Sequence, residues 1–251
     1  RQCGDARKSP HHRGQKPMIL RRLTDAFRKQ EWFTVAVETM IVVLGVFLGL
    51  QVNNWNAANQ SREREVVILE QLATEFAVTV EAAKSSKTDS EFLLDATRAV
   101  LRAIRDAKEP EDSDTFLRTL GAAGGLDTGP SEPVTLIELM STGGLTQLSS
   151  PGLRTALIRY HETAEAQSKL ADLVLARVST PDDGFHDAIY VNPDYGDGSE
   201  FLLGGYEWEK LASARQQFQV IFYGKVGLDR GIEELIERGE AVLTEIEKAR
   251  E

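Results

Sequence analysis

The sequence has a single cysteine, Cys3, so no disulfide can close within the chain whatever compartment holds it. It has no run in which apolar and polar residues alternate over a useful strand length, which argues against a core built from sheets. No basic stripe occurs after residue 55, and the formal net charge is −10, so a nucleic-acid partner is not expected. No glycine-rich loop follows a strand pattern: Gly121-Ala-Ala-Gly-Gly lacks the strand that a phosphate cradle needs and reads as a loop. Histidine is equally sparse. His186 lies beside Asp182, Asp183 and Asp187, and His161 precedes Glu162 with Glu165 one turn on, yet neither has a second histidine at ligand spacing. Ser141, Ser149 and Ser150 have no evident base. The expectation is therefore no catalytic residue, no metal and no cofactor.

What the chain does have is one stretch far more apolar than the rest, from Trp32 to Trp55. A bilayer core of about 30 Å needs roughly 20 mostly apolar helical residues, and Phe33 to Val52 supplies that length with Glu38 as its one charge. Trp32 and Trp55 stand where aromatic rings prefer the headgroup level, and Asn53, Asn54 and Asn56 add polar anchors at the exit. The reading is a membrane-spanning helix over 32–55. The alternative is a buried core helix, which would show a polar face.

Charge is divided about this stretch. Residues 1–31 carry nine Lys or Arg against Asp5, Asp25 and Glu31, a net of +6, while the part after Trp55 carries −15. Cations near a span are retained on the cytoplasmic side, so Arg21, Arg22, Arg28 and Lys29 predict a cytoplasmic N-terminus and an extracytoplasmic C-terminal domain. A cleaved signal peptide is the rival reading. Ala57 and Ala58 are present, but Trp55 and Asn56 two residues before them fit the small-residue cleavage pattern badly. Residues 1–17 are rich in polar residues and breakers and are expected to be a disordered or non-native extension. Residues 18–31 place Ile19, Leu20, Leu23 and Phe27 on one side of a short basic helix, suited to the membrane interface, and Met18 is the expected natural start.

Within the span, Glu38, Val42, Gly45, Gly49, Val52 and Asn56 share one helical face, and Gly45-Val-Phe-Leu-Gly49 is a Gly-x-x-x-Gly pair. Small residues let two helices approach closely in lipid, so Glu38, Gly45 and Gly49 are the candidate association face and a homo-oligomer is expected. Glu38 is open to two readings, a proton or partner site, or a carboxylate reaching back toward Lys29 and water.

Two patches carry a family resemblance. Glu38 to Asn56, with its aliphatic and glycine-bearing core and the run Gln51-Val-Asn-Asn-Trp-Asn56, and Leu136 to Tyr160, with Ser141-Thr-Gly-Gly144 between two helical runs, resemble a family of bacterial single-span proteins grouped as a domain of unknown function, DUF6090. This sequence has Gly-Leu-Gln-Val where the family pattern has Ala-Leu-Gln-Ile. The resemblance implies an anchored helical domain in a bacterial protein; together with the orientation set by the cations, the expected placement is a bacterial inner membrane with the C-terminal domain in the periplasm. It brings no established activity and no catalytic residue.

The remainder, 56–251, reads as an extracytoplasmic α-helical domain. Leu69, Leu72, Phe76, Val80 and Ala83 form a narrow seam. Ser85 to Ser90 interrupts it, and Thr88 with Glu91 makes a capping box that would start a second helix carrying Phe92, Leu93, Ala96, Val100, Leu101 and Ile104. A short helix is expected around Thr115 to Leu120, then one from Pro133 to Gly143-Gly144. Ser150 and Pro151 start another, with Leu153, Leu157, Tyr160, Ala164, Leu170 and Leu173 as its seam. Pro181 to Gly205 has little helical character, and Asn192 to Glu200 reads as an acidic turn, since Gly196 and Leu203 stand where calcium-loop ligands belong. A final helical region follows from Tyr206, with Gly224 and Gly227 as bend points.

The expected fold is thus all-α: one N-terminal transmembrane helix and an extracytoplasmic helical bundle with a long first helix. The expected role is non-enzymatic, an anchored scaffold or protein-interaction domain self-associating through the span. Its partners would be the lipid bilayer, a second copy and another membrane or periplasmic protein. The alternative is an extracytoplasmic ligand sensor that signals through a separate partner protein.

Overall fold

A computed structural model describes residues 18–178, 186–197 and 202–251. The chain is mostly helical and divides into two compact units, Arg1–Gln60 and Ser61–Glu251. In chain order the elements are α1 (Met18–Asp106), α2 (Ser113–Gly124), α3 (Val134–Thr142), α4 (Pro151–Val178), β1 (Ile189–Val191), β2 (Leu203–Tyr206), α5 (Trp208–Ser213) and α6 (Arg215–Arg250). Short 3-10 turns at Gly144–Gln147 and His186–Ala188 lead into α4 and β1.

The described part of the first unit is the N-terminal part of α1. Among the described residues α1 holds the one stretch long and apolar enough to cross a membrane, and none of that stretch is buried by the chain itself.

The second unit has two main cores. The first gathers Leu69, Leu72 and Phe76 of α1, Leu136 and Leu139 of α3, Leu153, Leu157 and Tyr160 of α4, and Leu235, Val242 and Ile246 of α6. Phe76 meets Tyr160 edge to face with ring centroids 4.8 Å apart, the arrangement favoured by the ring quadrupoles. The second core joins Ala96, Val100 and Ile104 of α1 to Phe116 and Leu120 of α2, Leu211 of α5 and Phe218 of α6. Most of the expected seam residues, at steps of three and four, thus face these cores.

Helix ends follow local chemistry where it is strong. Asp112 accepts from the Thr115 amide at 3.1 Å and from the Thr115 hydroxyl at 2.6 Å, which caps α2. Ser150 Oγ accepts from the Leu153 amide at 3.2 Å, with Pro151 in the first turn of α4, as expected. Gly143 ends α3 in the left-handed region at φ 71°, which a glycine adopts without steric cost.

Five expectations are corrected. No break occurs at Ser85 to Ser90: α1 runs through it, and the Thr88 hydroxyl donates to the Lys84 carbonyl at 3.3 Å instead of capping a new helix. The polar residues there face charges on α6. Lys87 lies 2.7 Å from Asp229 and Lys84 lies 3.1 Å from Glu240. Gly121-Ala-Ala-Gly is helical, not a loop, because Ala123 is fully buried in the second core. Leu173 and Phe92, expected in seams, are 69% and 65% exposed, and Ala171 and Val174 take the inward positions of α4. The region before α5 contains a two-stranded antiparallel sheet, in which Ile189 pairs with Tyr206 and Tyr190 with Gly205. Finally, α6 continues through Gly224 and Gly227. These glycines serve close approach: a Cβ on Gly224 would stand 2.7 Å from Val174, and one on Gly227 would stand 3.0 Å from Leu170.

Candidate functional site

The apolar stretch of α1 forms because its β-branched and leucine side chains carry no competing hydrogen-bond groups, and the Thr39 hydroxyl turns back to the Val35 carbonyl at 2.8 Å. Trp32 and Trp55 are 73% and 67% exposed, and Asn53, Asn54 and Asn56 are exposed with them. Glu38, Gly45 and Gly49 stand at heptad-like spacing on the same helix. All three are exposed, and an added Cβ at either glycine would meet nothing within 4 Å. Arg21, Arg22, Arg28 and Lys29 lie on the helical backbone of α1, and their side chains fall outside the described residues. Asp182 and Asp183 also fall outside them, as does the side chain of His186.

A second candidate is a cavity of about 440 Å³ between the segment at Thr128 to Glu132 and α4, with Glu165, Ser168 and Asp172 on its wall. His161, which the sequence sets beside Glu162 and Glu165, instead places Nδ1 2.6 Å from Glu132 Oε1. The nearby Tyr160 hydroxyl is pushed up to about 12, first by burial and then by the Glu132 charge. Among the described residues no group of three or more His, Cys, Asp or Glu side chains is arranged to hold a metal ion. The three serines are occupied elsewhere. Ser149 donates its amide and hydroxyl to Glu65 at 2.6 and 2.7 Å, the Ser141 hydroxyl donates to the Glu138 carbonyl, and Ser150 caps α4. The acidic turn is held by its own atoms: the Asn192 side chain accepts from the Asp194 amide at 3.0 Å, and Gly196 has φ 88°.

One buried group had no signal in the sequence. Lys225 of α6 is only 3% exposed, and among the described residues no carboxylate is paired with it. Its ammonium donates to the Ala123 carbonyl at 2.8 Å and to Thr97 Oγ1 at 2.9 Å, with the Leu93 and Ala122 carbonyls at 3.4 and 3.5 Å. Burial draws it down from 10.5 to about 8. The carbonyls of Ala122 and Ala123 belong to the last turn of α2, where the negative end of the helix dipole favours a cation. A lysine within an amphipathic helix reads as a surface residue, and only the folded path of α1 and α2 brings the acceptors to it.

No known protein family, curated protein or solved structure matches the chain.

Proposed function

We propose that the chain is an anchored, non-enzymatic scaffold or protein-interaction domain, held by residues 32–55 of α1 in a bacterial inner membrane. The N-terminus lies in the cytoplasm and the second unit, a helical bundle, lies in the periplasm. The chain self-associates through the face carrying Glu38, Gly45 and Gly49. The observation that carries this reading is that the apolar stretch of α1 is wholly unburied by its own chain. Leaving some 20 apolar residues in water would forgo about 1.5–3 kcal/mol for each large side chain, and a bilayer removes that cost. The basic residues before the stretch support the orientation. The likeness to the DUF6090 family belongs to the same proposal and rests on Glu38 to Asn56 and Leu136 to Tyr160. Protease added outside spheroplasts tests it: the second unit is expected to be digested, and full protection until the cells are lysed would reverse the orientation.

The alternative, a ligand sensor acting through a separate partner, is favoured by one feature of the second unit, the arginine-walled trough between α4 and α6.

A further inference from the structure

Helices α4 and α6 run antiparallel and close, since Val174 faces Gly224, Leu170 faces Gly227 and Gln167 faces Gly231. Beside this contact lies a trough of about 640 Å³ lined by Arg159 and Glu162 of α4 and by Arg230, Glu234 and Arg238 of α6. A second trough of about 660 Å³ shares Arg159 and Arg238 with it, so the two meet at these guanidinium groups. The part of the chain after Trp55 has a net charge of −15, and three arginines about one concavity run against that composition.

The arginines are not consumed by the fold. Arg159 and Arg230 have no hydrogen bond or ion pair among the described residues. Arg238 donates through Nη2 to Glu234 at 3.1 Å, but its Nε is buried without an acceptor. A buried donor left unpaired costs about 1–3 kcal/mol unless something outside the fold accepts from it. Glu234 is engaged by Arg238, so Glu162 is the one carboxylate of this trough left to compete.

We propose that this trough binds a small oxyanion, a carboxylate or a phosphate, between Arg159, Arg230 and Arg238. Guanidinium groups are planar forks that match the two oxygens of such a group, and they hold their charge at any physiological pH. Gly227 and Gly231 also line the trough, where Leu170 and Gln167 of α4 pack against them. The site depends only on the second unit and goes beyond the anchoring role.

Isothermal titration of the full chain in detergent with inorganic phosphate, and separately with succinate, tests the proposal. The expected result is saturable binding of at least one probe, weakened roughly tenfold to a hundredfold by R159A or R230A. E162Q, which removes the competing carboxylate, is expected to tighten it. Phosphate alone binding names a phosphate ligand, and succinate alone names a carboxylate. Both arginines are exposed, so the variants should keep the wild-type melting curve. R230K, which keeps charge and loses the fork, is a second reading should R230A fold poorly, and it is expected to bind more weakly than wild type. Absence of saturable binding with either probe at millimolar concentration, or binding unchanged in R159A and R230A, would overturn the proposal.

Discussion

Lys225 is the residue on which the physics is sharpest. Its ammonium replaces water with two close acceptors and two longer ones, and it does so without a counter-charge, so the fold carries a desolvation cost at neutral pH. The folded value lies below the unfolded one, about 8 against 10.5. Below pH 8 the group is protonated in both states. Between these values the unfolded chain binds more protons than the folded one, so stability rises with pH through that window. The rise is on the order of 2–3 kcal/mol, since each tenfold change in proton affinity is worth about 1.4 kcal/mol. Urea unfolding at pH 7 and at pH 9.5 should therefore give a wild-type midpoint that climbs relative to K225M, in which the titrating group is gone. Parallel pH profiles for the two proteins would refute the assignment. Tyr160, pushed up to about 12, works in the opposite sense above pH 10, which is why the comparison stops short of it.

At the scale of elements, the pairing of α4 with α6 depends on glycine at the contact. A Cβ on Gly231 would run into the Gln167 side chain, which is buried and donates Nε2 to the Leu228 carbonyl at 3.0 Å and the Thr128 carbonyl at 3.3 Å. G231A gains about 1 kcal/mol of helix propensity but displaces that amide, and a net loss of roughly 1–2 kcal/mol is expected in denaturant unfolding. Gly124, on α2 with nothing within 4 Å, is the matched control, and G124A should be neutral or slightly stabilising. In the apolar stretch the same residue type has a different meaning. Gly45 and Gly49 meet nothing in their own chain, so G45I with G49I should leave the second unit folded and abolish the crosslinked oligomer in membranes. An unchanged crosslinking ladder would remove the association face.

The same scale decides how much of the fold could be read in advance. Stops and starts written in local chemistry were legible: Gly143 after α3, Ser150 with Pro151 before α4, and the seam Leu69 to Ala83. The false break at Ser85 to Ser90 arose because Lys87 within it and Lys84 just before it answer to Asp229 and Glu240, more than a hundred residues away, and no local window contains them. The strands over Ile189–Val191 and Leu203–Tyr206 are too short to show a two-residue period, and the second contains Gly204 and Gly205. Of the candidate sites, Glu38, Gly45 and Gly49 could be grouped from spacing alone because they lie on one helix, and their role as an association face is the proposal above. Lys225, the Glu132–His161 pair and the arginine trough each join distant segments, and spacing along the chain carries no trace of them.

For the whole molecule, the account rests on one division. A basic segment of net +6 precedes an apolar stretch that its own fold never covers, and an acidic second unit with its own cores follows. The anchored-scaffold proposal depends on the apolar stretch lying in lipid: self-association, orientation and the presentation of the second unit outside the cytoplasm all lapse if it does not. The direct measurement is alkaline carbonate extraction of membranes carrying the full chain. Integration predicts that the protein stays in the membrane pellet and that detergent alone releases it. Release into the carbonate supernatant, with the chain intact from the apolar stretch onward, would contradict the anchor.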